Sequence, residues 1–112
     1  MKKKDIIKKS DEFTKIINNN KKTRNKYYSL FYKKNDSTLF GISIPKKTGN
    51  AVVRNKIKRQ TKNIIDNNKI NIQTGYNYVI IIRKEILELS YEEKEKELIT
   101  LFKRIGAENE KK

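Results

Sequence analysis

A chain of 112 residues, 35% of them hydrophobic, has room for one small domain with a thin core. It carries 28 basic against 13 acidic residues, a net charge of +15, and a compact domain with that field calls for a polyanion, nucleic acid before an anionic membrane. Cysteine and histidine are absent, which excludes a disulfide framework, a thiolate zinc site and the commonest general base.

At the start, Met1-Lys2-Lys3-Lys4-Asp5-Ile6-Ile7 has too few apolar residues for a secretory leader. No apolar run approaches the roughly 18–20 residues of a membrane span. A soluble cytoplasmic protein without a membrane partner is expected. Ser10, followed by Asp11 and Glu12, caps a helix predicted over 10–19, with Phe13, Ile16 and Ile17 as its apolar stripe. Residues 21–26, with Lys21, Lys22, Arg24 and Lys26, read as a basic loop that either binds RNA or is merely solvated.

Tyr27–Tyr32 is aromatic-rich and bounded by charge, hence a strand. Asn35-Asp36-Ser37 is a turn, and Leu39–Ile44 a second strand closed by Pro45. Their spacing predicts an antiparallel hairpin. Gly49 and Asn50 then open a helix over 51–67, Asn50 as its cap. On its wheel Val53, Ile57, Thr61 and Ile64 share one face. Arg54, Lys58 and Lys62 follow at spacing four on another, with Asn55 and Arg59 beside them and Lys56 off toward the far side.

After a loop with Gly75, the continuous apolar run Tyr78–Ile82 predicts a strand buried on both faces. Ser90 and Glu93 form a capping box for a last helix with Leu98, Leu101, Phe102 and Ile105 on one face. Gly106 is expected to stop that helix, leaving 107–112 as a frayed tail. The order is α-β-β-α-β-α in one domain spanning 1–112. Charge divides unevenly along it. The first 84 residues hold 22 basic and five acidic side chains, net +17, and the last 28 hold six and eight, net −2. The acidic helix face of Glu92, Glu93, Glu95 and Glu97 reads as a solvated support on the side away from a polyanion.

The segment KKTGNAVVRNKIKR, from Lys46 to Arg59, resembles the signature of the bacterial ribonuclease P protein subunit. Gly-Asn-Ala-Val and Arg-Asn-x-x-Lys-Arg occur in it together at fixed spacing. The resemblance extends over nearly the whole chain. It implies an α+β sandwich with a mixed sheet, similar to domain 2 of ribosomal protein S5, and a left-handed β-α-β crossover, although right-handed crossovers dominate in general. It implies a subunit that assists a catalytic RNA in removing the 5′ leader of precursor tRNA. It also implies that the RNA holds the catalytic Mg2+ and that this chain supplies no catalytic residue and no metal site. The implied partners are that RNA subunit and precursor tRNA, with no obligatory protein partner.

Lys46, Lys47, Arg54, Asn55, Lys56, Lys58, Arg59 and Lys62 are the expected RNA contacts. The resemblance also implies a groove for unpaired leader bases, formed by Phe13, Ile17, Tyr28, Ser29 and Phe31. From periodicity alone Phe13, Tyr28 and Phe31 read equally as core. In an alternating strand Tyr28 and Phe31 point to opposite faces unless the strand is bulged, which ranks Phe31 above Tyr28. Four positions depart from the family pattern: Lys56 and Lys62 where arginine is common, Ile17 where a second aromatic is common, and Phe31 where tyrosine is frequent. The first two keep charge but lose the bidentate fork. Two other readings fit size and charge: a small ribosomal or RNA-chaperone protein without turnover, and a self-sufficient ribonuclease such as a toxin. The absence of histidine and of clustered carboxylates weighs against the second.

Overall fold

The apolar run Tyr78–Ile82 lies in the middle of a four-stranded sheet. The computed structural model describes residues 3–7, 10–19 and 21–110. In it β2 (Tyr28–Lys34) pairs antiparallel with β4 (Tyr76–Ile82), and β3 (Leu39–Ser43) pairs parallel with the other side of β4. β1 (Lys22–Arg24) lines the outer edge of β2, giving the order β1-β2-β4-β3. The helices are α1 (Ser10–Ile17), α2 (Ala51–Asn67) and α3 (Tyr91–Glu110).

β4 is central because it is apolar on both faces, so both faces find cover. Tyr78, Ile80 and Ile82 face α2 and α3 together with their register partners Tyr32, Leu30 and Tyr28. Ile57, Ile64 and Ile65 of α2 and Leu98, Leu101 and Phe102 of α3 close this main core. Phe40 stacks on Tyr78 at 5.6 Å between ring centroids, and Phe102 meets Tyr78 edge-on at 5.1 Å. On the opposite face Val79 is buried with Ile7 and Ile16 beneath α1, bordered by Phe13, Ile17, Phe31, Leu39 and Ile81.

The predicted hairpin of β2 and β3 is not formed, since β4 lies between them. The turn that was to close it is bonded to the incoming strand instead. Asn35 donates its backbone N–H to the Gly75 carbonyl and its side-chain amide to Asn77, while Thr38 Oγ1 accepts from the Gly75 N–H. Gly75 has φ +82, a left-handed conformation that glycine adopts without strain at this entry to β4.

The predicted basic loop 21–26 is in fact mostly the edge strand β1 and its turn. Asn25 Oδ1 accepts from the backbone N–H groups of Tyr27 and Tyr28, and its amide donates to the Glu97 carbonyl. This ties the turn to α3. Gly106 does not end α3, which runs on to Glu110, so 107–110 belong to the helix rather than to a frayed tail. A helix-stopping glycine adopts a left-handed backbone, and among the described glycines Gly75 alone does so. Lys111 and Lys112 lie outside the described residues. The capping box is formed: Ser90 Oγ accepts from the Glu93 N–H, and the Ser90 N–H donates to the Glu93 carboxylate, which lowers that carboxyl's pKa.

Candidate RNA-binding cleft

α2 starts as its sequence demands. Asn50 Oδ1 accepts the Val53 N–H at 3.0 Å, and Gly49 packs so closely on Val53 that a Cβ there would lie 3.0 Å from its side chain. Ile57, Thr61, Ile64 and Ile65 are the buried side of the helix. No acid stands in its first turn, so nothing offsets the positive end of its dipole. Arg54 is half-buried and its Nε donates to the Gly49 carbonyl at 3.2 Å, which fastens the entry loop to the helix.

A cleft of about 640 Å³ opens between α1, the end of β3 and α2. Ser10, Phe13, Thr14 and Ile17 form its α1 wall, with Ile7 beside them. Ile42, Ser43 and Ile44 form its floor, and Arg54, Asn55 and Lys58 the facing wall. An apolar, partly aromatic wall thus faces a cationic one, and among the described residues no acid lines the space. On the other flank of α2 a shallower depression of about 450 Å³ is lined by Val52, Asn55, Lys58, Arg59 and Lys62. Asn55 and Lys58 border both, so they stand on the crest between two grooves. Among the described residues none of Arg54, Lys58, Arg59 and Lys62 has an ion-pair partner.

The other predicted contacts are placed unevenly. Lys46 and Lys47 are exposed on the short 3-10 turn that leads into α2. Lys56 is exposed but turned away from the crest toward α3. There the Lys94 ammonium donates to Gln60 Oε1 at 2.8 Å, its pKa lowered by burial first and by the charge of Lys56 second.

Of the predicted groove residues, Phe13 and Ile17 line the cleft. Tyr28 does not belong to it: β2 keeps an unbroken register with β4, so Tyr28 faces α3, 1% exposed, its hydroxyl donating to the Lys94 carbonyl at 3.1 Å. Burial first, and Glu97 second, push that hydroxyl's pKa well above the usual tyrosine value. Ser29 and Phe31 are on the α1 face but outside the cleft wall. Ser29 Oγ accepts from Arg83 Nη2 at 3.2 Å, and the Lys22 ammonium stands 5.9 Å from the centre of the Phe31 ring. Ser29 and Ser43 are both register partners of Ile81, which separates the serine of the cleft floor from Ser29 and its neighbours Arg24 and Arg83.

Sequence reading missed Ser10, Thr14, Ile42, Ser43, Ile44 and Arg83. The spacing of Ser10, Phe13, Thr14 and Ile17 is the i, i+3, i+4, i+7 pattern of one helix face, and it held the signal for the α1 wall. The floor depends on β3 being an edge strand beside α2, which no local pattern reveals. Among the described residues no group of three carboxylates gathers as a metal cage, and no helix is long and apolar enough to cross a membrane.

Known proteins resemble this arrangement throughout its length. The family model described as Ribonuclease P matches residues 1–106. The ribonuclease P protein component of Bacillus cereus (strain AH187) is 44% identical over all of both chains. That of Mycoplasma mycoides subsp. mycoides SC is 45% identical over 94% of this chain and 99% of its own. Among solved structures, the ribonuclease P protein from Thermotoga maritima superposes with a TM-score of 0.81 at 31% identity, covering 88% of this chain and 94% of that one. The Staphylococcus aureus protein gives a TM-score of 0.83 at 28% identity, covering 90% and 94%. Matched in sequence over its full length and in fold over most of it, the chain belongs to the ribonuclease P protein family.

Proposed function

We propose that this chain is the protein subunit of a cytoplasmic ribonuclease P ribonucleoprotein, in which it holds the 5′ leader of precursor tRNA in the cleft between α1 and α2 and binds the catalytic RNA through the outer flank of α2. The observation that carries this reading is the pairing of walls. Phe13 and Ile17 offer an apolar surface on which unpaired bases stack. Arg54, Asn55 and Lys58, facing them, take the backbone phosphates. Such a site tolerates any leader sequence, because every base has a π-face. The second groove, with Arg59, Lys62 and exposed Val52, leaves room for the RNA subunit on the other side of the crest. Lys46 and Lys47 extend that cationic surface ahead of α2.

No three carboxylates come together among the described residues, and magnesium at phosphates ordinarily takes most of its oxygen ligands from phosphate and water. We assign the catalytic metal to the RNA subunit, where it would activate water for attack on the phosphodiester. What the protein supplies is position. It favours precursor over mature tRNA by the contacts that only a leader makes, and its positive field lowers the cost of bringing together the RNA phosphates among which magnesium would bind.

The test is selective. In the reconstituted holoenzyme Phe13→Ala is expected to weaken binding of leader-bearing tRNA about tenfold, within the range of about 1–3 kcal/mol for one stacked base, and to leave mature tRNA binding unchanged. Tyr28→Phe, on the other face of β2, should leave the ratio of the two affinities unchanged. Equal loss for both tRNAs in Phe13→Ala would remove the leader from this cleft.

A further inference from the structure

Gly41 lies in the middle of β3, where a glycine weakens a strand and commonly marks a close approach. Its backbone does not need glycine, since among the described glycines Gly75 alone lies in the left-handed region. What it accommodates is the Phe13 ring. A Cβ built on Gly41 would stand 2.4 Å from Phe13 Cε2 and 2.5 Å from Cζ. The ring thus rests directly on the β3 backbone. It separates the 640 Å³ cleft from a smaller cavity of about 210 Å³ lined by Ile6, Ile7, Phe40 and Ile42, with Lys58 and Lys62 also on its wall.

We infer that Gly41 is a positioning residue for leader recognition: by leaving its own side-chain volume empty, it sets where the Phe13 ring stands in the cleft. The inference rests on the leader occupying that cleft. With alanine at 41 the ring must retreat on the order of 1 Å to reach ordinary carbon–carbon contact. Ile16, 1% exposed and packed with Val79 on the sheet, anchors α1 and directs that retreat into the space meant for a base. Arg54, Asn55 and Lys58 lie on another element, so the phosphate contacts stay in place.

The test is a double-mutant comparison in the reconstituted holoenzyme, reading the affinity ratio for tRNA with and without a leader. Gly41→Ala should lower that ratio about tenfold and leave mature tRNA affinity and the salt dependence of binding unchanged. Tilting or loosening of the whole domain would move both of those. Phe13→Leu removes Cε2 and Cζ, so in that background the added Gly41→Ala should change the ratio less than about twofold, the residue of an interaction whose two partners are coupled. Should Gly41→Ala fold poorly alone, its thermal stability decides: recovery on adding Phe13→Leu supports the seat of the ring on Gly41, and no recovery overturns it. An equal tenfold loss in the Phe13→Leu background, or an unchanged ratio in a folded Gly41→Ala, overturns the role of Gly41. If Phe13→Leu itself leaves the ratio unchanged, the leader reading falls and this inference with it. If Phe13→Leu lowers the ratio and Gly41→Ala does not, only the inference fails.

Discussion

Replacing Arg54, Lys58 and Arg59 together by alanine is expected to weaken binding of the RNA subunit by about 100-fold and to flatten its salt dependence. Each phosphate neutralised contributes roughly 0.7–0.9 to the log–log slope, so losing three should lower it by about 2–3. The size of the effect follows from where these side chains stand. Among the described residues no carboxylate pairs with them, so their charge is not already spent inside the protein. Lys58 and Arg59 are exposed. Arg54 is half-buried and bonded to the Gly49 carbonyl, so its loss also loosens the loop that sets the start of α2. The buried side of α2, with Ile57, Thr61, Ile64 and Ile65, is untouched. Thermal stability should therefore change little, as relief of self-repulsion in a chain of net +15 offsets the lost Arg54–Gly49 bond. Lys56→Ala is the control. Turned toward Lys94 rather than the crest, it should change affinity less than about threefold. Filter binding or fluorescence titration over roughly 50–400 mM salt, across which the Debye length falls from about 14 to about 5 Å, measures both quantities. An unchanged slope in the triple variant would show that α2 is not the RNA-binding element.

The second large effect is on folding. Ile80 is 0% exposed at the centre of β4, flanked in register by Leu30 on β2 and Ile42 on β3, and it faces the core under α2 and α3. Truncating it to alanine should cost about 2–5 kcal/mol, the transfer of the lost carbons plus the cavity left in a close-packed layer. A domain of this size has roughly 5–15 kcal/mol in total, and here self-repulsion draws on the same reserve. A fall of Tm on the order of 15 °C is expected. The same variant should regain part of the loss in sulfate or phosphate, because an anion that binds only the folded cationic surface stabilises it by mass action. Ile70→Ala is the contrast: 95% exposed, it should change stability by less than about 0.5 kcal/mol. Differential scanning calorimetry with and without 100 mM-range sulfate reads all three outcomes. A Tm loss under about 5 °C for Ile80→Ala would contradict the packing described for β4, and a flat response to sulfate would remove anion-assisted folding.

What could be read from the chain alone was whatever is written within a few residues of itself. The Asn50 cap, the Ser90–Glu93 box, the buried side of α2 and the two-faced burial of Tyr78–Ile82 all depend on spacings of two to four, and all appear in the structure. The opposite facing of Tyr28 and Phe31 also followed from simple alternation, and the unbulged register with β4 settles it against Tyr28 as a groove residue. Strand order was not legible. β2 and β3 are neighbours in sequence and looked like a hairpin, yet β4 outcompetes them for the centre because it alone is apolar on both sides. β1 escaped notice because Lys22-Thr23-Arg24 has no apolar alternation. Its strand character comes from pairing with β2 and from Asn25 fastening the turn to α3. Gly106 looked like a helix stop and is not one, since a stop needs a left-handed backbone that glycine permits but does not impose.

The site divides along the same line. The crest residues of α2 were visible as a helical periodicity of charge. The cleft was visible only on its α1 side, through Phe13 and Ile17. Its floor at Ile42, Ser43 and Ile44, the seat of Phe13 on Gly41, and the bond from Arg83 to Ser29 join residues that lie far apart in the chain. They depend on tertiary approach, and no spacing encodes it. Of the groove residues that family likeness named, Phe13 and Ile17 line the cleft, Ser29 and Phe31 stand outside its wall, and Tyr28 is buried against α3.

The claim that this chain positions RNA and leaves the cutting to its partner is tested most directly by one cleavage experiment. Precursor tRNA is incubated at low magnesium with the protein alone, with its RNA subunit alone, and with both, and the 5′ end formed is mapped. The account predicts cleavage at the leader junction only when both are present, with the protein alone inactive and the RNA alone rescued by raised magnesium. Cleavage by the protein alone would contradict it, and so would an RNA subunit whose low-magnesium activity the protein does not change, the behaviour of a general RNA binder.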